Sequence, residues 1–247
     1  MTMTRKGHIL GGLLIVLLAG LLGLWPLRHA VRRLVGRLRP RASVADRVRQ
    51  FGGEARSRWA PYLDAVGLSY PPQQMVWVGL KDERVLEVWG QGDAGSWVHI
   101  RTLPILGASG TLGPKLCEGD RQVPEGIYQI ESLNPNSRYH LSLRVNYPNA
   151  FDLRRAKEEG RAKPGSDIMI HGSNASVGCL AMGDEAAEDL FVLAAAAGIT
   201  KIRLILAPVD FRKRALPEPL PERPEWLDQL YDQIREELAN LPLPSPK

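Results

Sequence analysis

Cysteine is scarce in this 247-residue chain, with only Cys117 and Cys179. Five scattered histidines add no ligand pair at zinc spacing, and no glycine pattern of the phosphate- or dinucleotide-cradling kind occurs. No metal and no cofactor is therefore expected. Acidic residues are missing from 1–41, which holds eight basic ones: Arg5, Lys6, Arg28, Arg32, Arg33, Arg37, Arg39 and Arg41. With 32 basic and 27 acidic residues in all, 24 basic and 27 acidic remain beyond residue 41, a net of −3. The overall charge of +5 thus belongs to the leader. The body has no basic stripe with interleaved aromatics, which argues against a nucleic-acid partner.

What is present begins with an apolar run of 17 residues, Ile9–Trp25. It sits at the short end of bilayer-spanning lengths and runs long for a signal-peptide core. Arg5 and Lys6 precede it, and no small-x-small cleavage site follows. An uncleaved membrane anchor is favoured over a removed signal. The six arginines just after the run pull against export of the body by the positive-inside tendency. A basic amphipathic stretch Leu27–Leu38 lying on anionic headgroups gives them another purpose.

The body reads as mainly β with flanking helices. Residues 42–72 read as a linker and helix, with Gly52-Gly53 and Pro61 as breaks. Met75–Leu80 and Arg84–Trp89 read as a hairpin, and Ser96–Leu103 as a third strand whose His99 is on an exposed face or satisfied. Gly107–Val123 is a long loop of the kind that is often functional, with Lys115 or Arg121 as contacts for a peptide carboxylate or simply as solvated charge. Ile127–Ile130 and Tyr139–Tyr147 follow as strands, then a short charged helix within Phe151–Gly165. Asp184 is expected to cap a helix that ends at Gly198, and Ile202–Ala207 to form a last strand. Glu225–Leu241 is amphipathic, a packing face for the body rather than a partner helix.

The chemistry concentrates in Ile168–Met182. A short buried strand delivers His171, and the small-residue turn 172–178 returns the chain to Cys179. A thiolate is the nucleophile of such a pair, and an imidazole can take its proton. Gly178 allows the turn, and the amides of Gly178 and Cys179 are candidates to hold an oxyanion. By spacing alone such a pair is more often coincidence, and a lone cysteine is usually a small core residue.

Ile170-His171-Gly172 with Ser176-x-Gly178-Cys179 resembles the active-site motif of YkuD-type L,D-transpeptidases. The short spacing and Ala181-Met182 are most similar to the YafK-like branch. Leu112–Asp120, Pro124–Tyr128, Asn134–Ser142 and Asn146–Asn149 resemble it in order and spacing, over about residues 75 to 210. Many YkuD domains carry Ser-His-Gly-Cys; Val177 stands here in place of that second imidazole, while the base, His171, is kept.

The resemblance implies an α+β YkuD-like sandwich or barrel over 73–212. Residues 1–41 would then form the membrane anchor or signal, and 213–247 a Pro-rich linker with the amphipathic helix. It also implies a cysteine acyl transfer on peptidoglycan stem peptides, placed on the periplasmic side of the inner membrane. Cys179 would be nucleophile and His171 base. The Gly172 carbonyl would set the imidazole tautomer, Ser176 would brace the turn, and Tyr139 and His140 would line the groove. The branch includes amidases that release a murein-linked lipoprotein, so hydrolysis is an alternative. A non-catalytic wall-binding protein is another. A Cys117–Cys179 disulfide would block either chemistry.

Overall fold

The computed structural model describes residues 41–92, 95–217, 220 and 223–244. The apolar run 9–25 and the arginines from 28 to 39 lie outside the described residues. Among the described residues no helix is long and apolar enough to cross a membrane. The chain divides after Arg41 into two units, and the second, Ala42–Lys247, holds every strand and helix named below.

Eight strands are β1 Met75–Leu80, β2 Val85–Gln91, β3 Trp97–Pro104, β4 Gly126–Ser137, β5 His140–Val145, β6 Met169–His171, β7 Leu180–Ala181 and β8 Ile202–Ala207. They join edge to edge in the order β3-β2-β1-β8-β4-β5-β6-β7. Among the described residues four α-helices accompany them: α1 Val44–Ala65, α2 Ala150–Glu158, α3 Asp184–Ala197 and α4 Leu227–Ala239. The expected mainly β body with flanking helices is what the chain forms. Its β part is one continuous sheet. The residues after β3 meet the other edge, where Leu106 and Gly107 hydrogen-bond to Ala181 on β7 at 2.8–3.1 Å.

The centre of the sheet is buried on both faces because helices cover both. Met75 and Trp77 of β1, with Leu204 and Leu206 of β8, join the core that holds Trp59 of α1 and Leu190 and Phe191 of α3. Val76, Val78 and Leu80 alternate with them and meet Leu230, Tyr231, Ile234 and Leu238 of α4 on the other side. Two-residue alternation thus supplies two cores from one strand. The amphipathic stripe at the C-terminus is a packing face, as its spacing indicated.

The broken helix expected before residue 72 is instead one helix of 22 residues running through Gly52, Gly53 and Pro61. Tertiary anchoring outweighs the breakers. Ser43 and Asp46 form a capping box, Ala55, Trp59 and Leu63 are buried, and the Trp59 indole donates to the Asp189 carbonyl of α3 at 3.1 Å. The buried Asp189 carboxylate accepts from Arg58 and Arg101 at 2.7 and 2.9 Å, tying α1, β3 and α3 together.

β4 is also longer than the short strand Ile127–Ile130 expected from its sequence. Its first part, Gly126–Gln129, pairs with β8, and from Ile130 onward it pairs with β5. Asn134-Pro135-Asn136 lies beyond the expected strand and stays in the ladder where the register shifts, a position that tolerates proline. The Pro135 carbonyl accepts from Arg47, and Asn136 exchanges two hydrogen bonds with Ala42 at 3.0 and 2.7 Å. β4 thereby carries the chain from the long central strands to the short strands that hold His171.

Candidate active site

β6 pairs with β5 on one side and in parallel with β7 on the other, with Ile170 opposite Leu180 and His171 opposite Ala181. Ile170 and Leu180 point into the core. By alternation His171 projects from the other face, and Cys179 immediately precedes β7. Leu180, the next residue, is the one opposite Ile170.

His171 is 2% exposed. Its Nδ1 is 2.6 Å from the Gly172 carbonyl. A carbonyl only accepts, so Nδ1 carries the proton and Nε2 presents a lone pair. Burial lowers the imidazole pKa below its usual value, against the opposing pull of the Gly172 carbonyl. The neutral ring, with Nε2 bare, is the species present at neutral pH. The half-exposed Tyr139 ring stacks on it at 4.7 Å and 26°.

The Cys179 sulfur donates to the Asp167 carbonyl at 3.6 Å and accepts from the Met169 amide at 3.4 Å. Neither bond goes to the imidazole. Burial pushes the thiol pKa up, and the Asp167 carboxylate adds to this; the Met169 amide and the Lys115 ammonium pull the other way. Thiol and imidazole are thus both neutral here, not a preformed ion pair. Both Cys117 and Cys179 are free thiols.

The turn between them is held by side chains. Ser176 Oγ accepts from the Cys179 amide at 2.9 Å and donates to the Cys179 carbonyl at 2.6 Å. The Gly178 amide donates to Ser109 Oγ at 2.7 Å, and Gly178 has φ +82°, a conformation that favours glycine. Both amides proposed for an oxyanion are thus already donating to serine hydroxyls. His140 and Tyr139 part ways: the His140 ring meets Glu188 of α3 at 2.8 Å and packs on Phe51, whereas Tyr139 covers His171. Lys115 is buried, with its ammonium on Asp120 and the Cys117 carbonyl at 2.5 and 2.9 Å, so it is spent inside the loop rather than offered to a ligand.

Asp184 does not cap α3; that position belongs to Gly183, and Asp184 opens the helix. Its carboxylate turns back and accepts from the Ser173 amide at 2.7 Å. No motif or spacing signalled this bond, nor the role of Ser109, which comes from a loop 69 residues away.

The L,D-transpeptidase catalytic domain (YkuD) matches residues 73–203. The YafK protein of Escherichia coli K12, which carries an L,D-transpeptidase name, is 34% identical over 113 residues, 45% of this chain and 43% of that protein. The chain thus spans less than half the length of that relative, and the protein of the same name from Escherichia coli O157:H7 matches to the same extent. Among solved structures, the helical cell shape determining protein Pgp2 of Campylobacter jejuni aligns with TM-score 0.45 at 20% identity, covering 75% of this chain and 61% of that one. L,D-transpeptidase 1 of Mycobacterium tuberculosis aligns with TM-score 0.32 at 17% identity, covering 54% and 62%. With the family match spanning more than half of its residues and covering both His171 and Cys179, this chain belongs to the YkuD L,D-transpeptidase catalytic-domain family.

Proposed function

We propose that the chain is a cysteine acyltransferase acting on peptidoglycan stem peptides. The observation that carries this is the tautomer of His171 together with the strand register. Nδ1 is committed to the Gly172 carbonyl, so Nε2 is free to take a proton, and Cys179 directly precedes the strand paired with the one that carries His171. Proton transfer between them requires the thiol to turn from the Asp167 carbonyl toward the imidazole.

In the reaction, the Cys179 sulfur attacks an amide carbonyl of the stem and its proton passes to His171 Nε2. The same proton then goes to the leaving amine as the C–N bond breaks, which leaves a thioester on Cys179. In the family this chain resembles, the carbonyl belongs to diaminopimelate at position three and D-alanine leaves. An amine of a second stem then attacks the thioester and yields a cross-link. Ser176 and Gly178 hold the turn that carries the nucleophile, and Tyr139 covers the base. We place this body on the periplasmic side of the inner membrane, anchored through residues 9–25.

Incubation with disaccharide tetrapeptides, followed by mass analysis, tests the reading. Loss of D-alanine with dimer formation supports transpeptidation. Monomeric tripeptide alone turns the assignment to hydrolysis, and release from lipoprotein-bearing sacculi points to the amidase. No turnover in any arm, with no adduct on Cys179, leaves a wall-binding protein and refutes acyl transfer.

A further inference from the structure

The Gly172–Ser173 peptide unit is bonded at both ends. Its carbonyl, on Gly172, accepts the Nδ1 proton of His171 at 2.6 Å. Its amide, on Ser173, donates to Asp184 Oδ1 at 2.7 Å. A carboxylate and an imidazole are thus joined through one peptide. We propose that Asp184 is a positioning residue for the acyl transfer from Cys179: it holds this peptide plane so that the carbonyl faces His171 Nδ1 and Nε2 is left as the base. The inference rests on that reading of the site.

Three further features show that the arrangement is built. Ser173 has φ +64°, a left-handed conformation that is strained for a non-glycine residue. It persists because its two backbone polar groups are pinned by consecutive residues. Asp184 takes the amide, and the Gly183 amide donates to the Ser173 carbonyl at 2.8 Å. Second, a Cβ on Gly172 would come within 2.5 Å of Asp184 Oδ1 and 2.8 Å of the Tyr139 carbonyl. Glycine at 172 is what lets the carboxylate approach. Third, Met182 N–H donates to the His171 carbonyl at 2.8 Å, so the strand leading to the imidazole is clamped to the segment leading to Asp184.

The carboxylate is exposed, so water screens its charge and the bond itself carries the effect. That separates two substitutions. Asp184→Asn keeps an acceptor oxygen; Asp184→Ala removes it. Glu185→Ala removes a neighbouring carboxylate from the same first helical turn and serves as the control for charge at the helix end.

Two readouts on the full chain test the proposal. Ring-nitrogen shifts of 15N-histidine protein, with His171 assigned by its absence in His171→Gln, report the tautomer. Intact-mass kinetics with a carbapenem report the rate of Cys179 acylation. In Asp184→Ala the Nδ1–H form gives way to a tautomer mixture, and acylation slows on the order of a hundredfold. Asp184→Asn and Glu185→Ala stay within about threefold of the parent chain. Retention of the Nδ1–H tautomer in Asp184→Ala overturns the proposal, as does an acylation rate within twofold of that of Glu185→Ala. If the parent chain itself takes no acyl group, the acyl-transfer reading fails, and the ring tautomer alone decides whether Asp184 sets it.

Discussion

Two parallel strand pairs lie in this otherwise antiparallel sheet, and they are held in opposite ways. β1 and β8 share six register positions at the centre, with helices over both faces. β6 and β7 share two at the edge. The central pair is rigid through its ladder and its burial. The edge pair has almost no ladder. It is held by discrete bonds from Ser109, Ser176, Asp184 and Gly183 to particular backbone groups. A substitution in the first pair should cost stability and leave the chemistry intact. One in the second should cost chemistry at little cost in stability.

The largest expected effect lies at the edge pair. His171→Gln should lower acylation by about a hundredfold to ten-thousandfold, the ordinary contribution of a general base, with a melting temperature close to the parent's. Acylation kinetics beside a thermal scan check both halves. A large drop in melting temperature would mean that the two pairs are not separable. Next comes the centre. Leu206 is fully buried, and Leu206→Ala should cost about 2–5 kcal/mol, lowering the melting temperature by roughly 5–15 °C. Its acylation rate at 25 °C should match the parent's when corrected for folded fraction.

Ser109→Ala sharpens the contrast. It strips the Gly178 amide of its partner and cuts a bond of 2.7 Å to the Arg121 carbonyl. Acylation should fall about tenfold through misplacement of the turn, with a loss of only about 0.5–1.5 kcal/mol. Equal stability and unchanged acylation would show that the loop does not brace the nucleophile.

The smallest effect is pH-dependent and lies in neither pair. Burial raises the Asp152 carboxyl to about 6, against bonds from the Asn149 amide and the Tyr128 hydroxyl that favour its ionised form. A carboxyl raised in the folded state adds stability below its unfolded value near 3.8, and that contribution is lost as the pH rises through about 6. Asp152→Asn should therefore melt higher than the parent at pH 8, and the gain should vanish near pH 4. The amide it introduces can still accept from the Asn149 N–H and donate to the Tyr128 hydroxyl.

The same contrast explains what the sequence disclosed. β1, β2, β8 and α4 write their faces in the spacing of their apolar residues, so alternation and helical period found them. His171 and Cys179 stood out because their residue types are rare and their neighbours small. The bonds that hold the edge pair left no such trace. Ser109 is one hydroxyl in a long loop, and Asp184 satisfies every rule for a helix cap while its carboxylate bonds elsewhere. Gly52, Gly53 and Pro61 misled in the opposite sense, because their local cost is outweighed by the burial of Trp59 and the Asp189 ion cluster, which only tertiary structure reveals.

Trapping the thioester tests the central claim most directly. The parent chain is mixed with a tetrapeptide stem, quenched in acid within seconds, digested and read by mass. The account predicts a tripeptidyl adduct on the peptide that contains Cys179, formed more slowly in His171→Gln and absent in Cys179→Ala. Turnover of the stem with no adduct on that peptide, or with an adduct that survives Cys179→Ala, would contradict it.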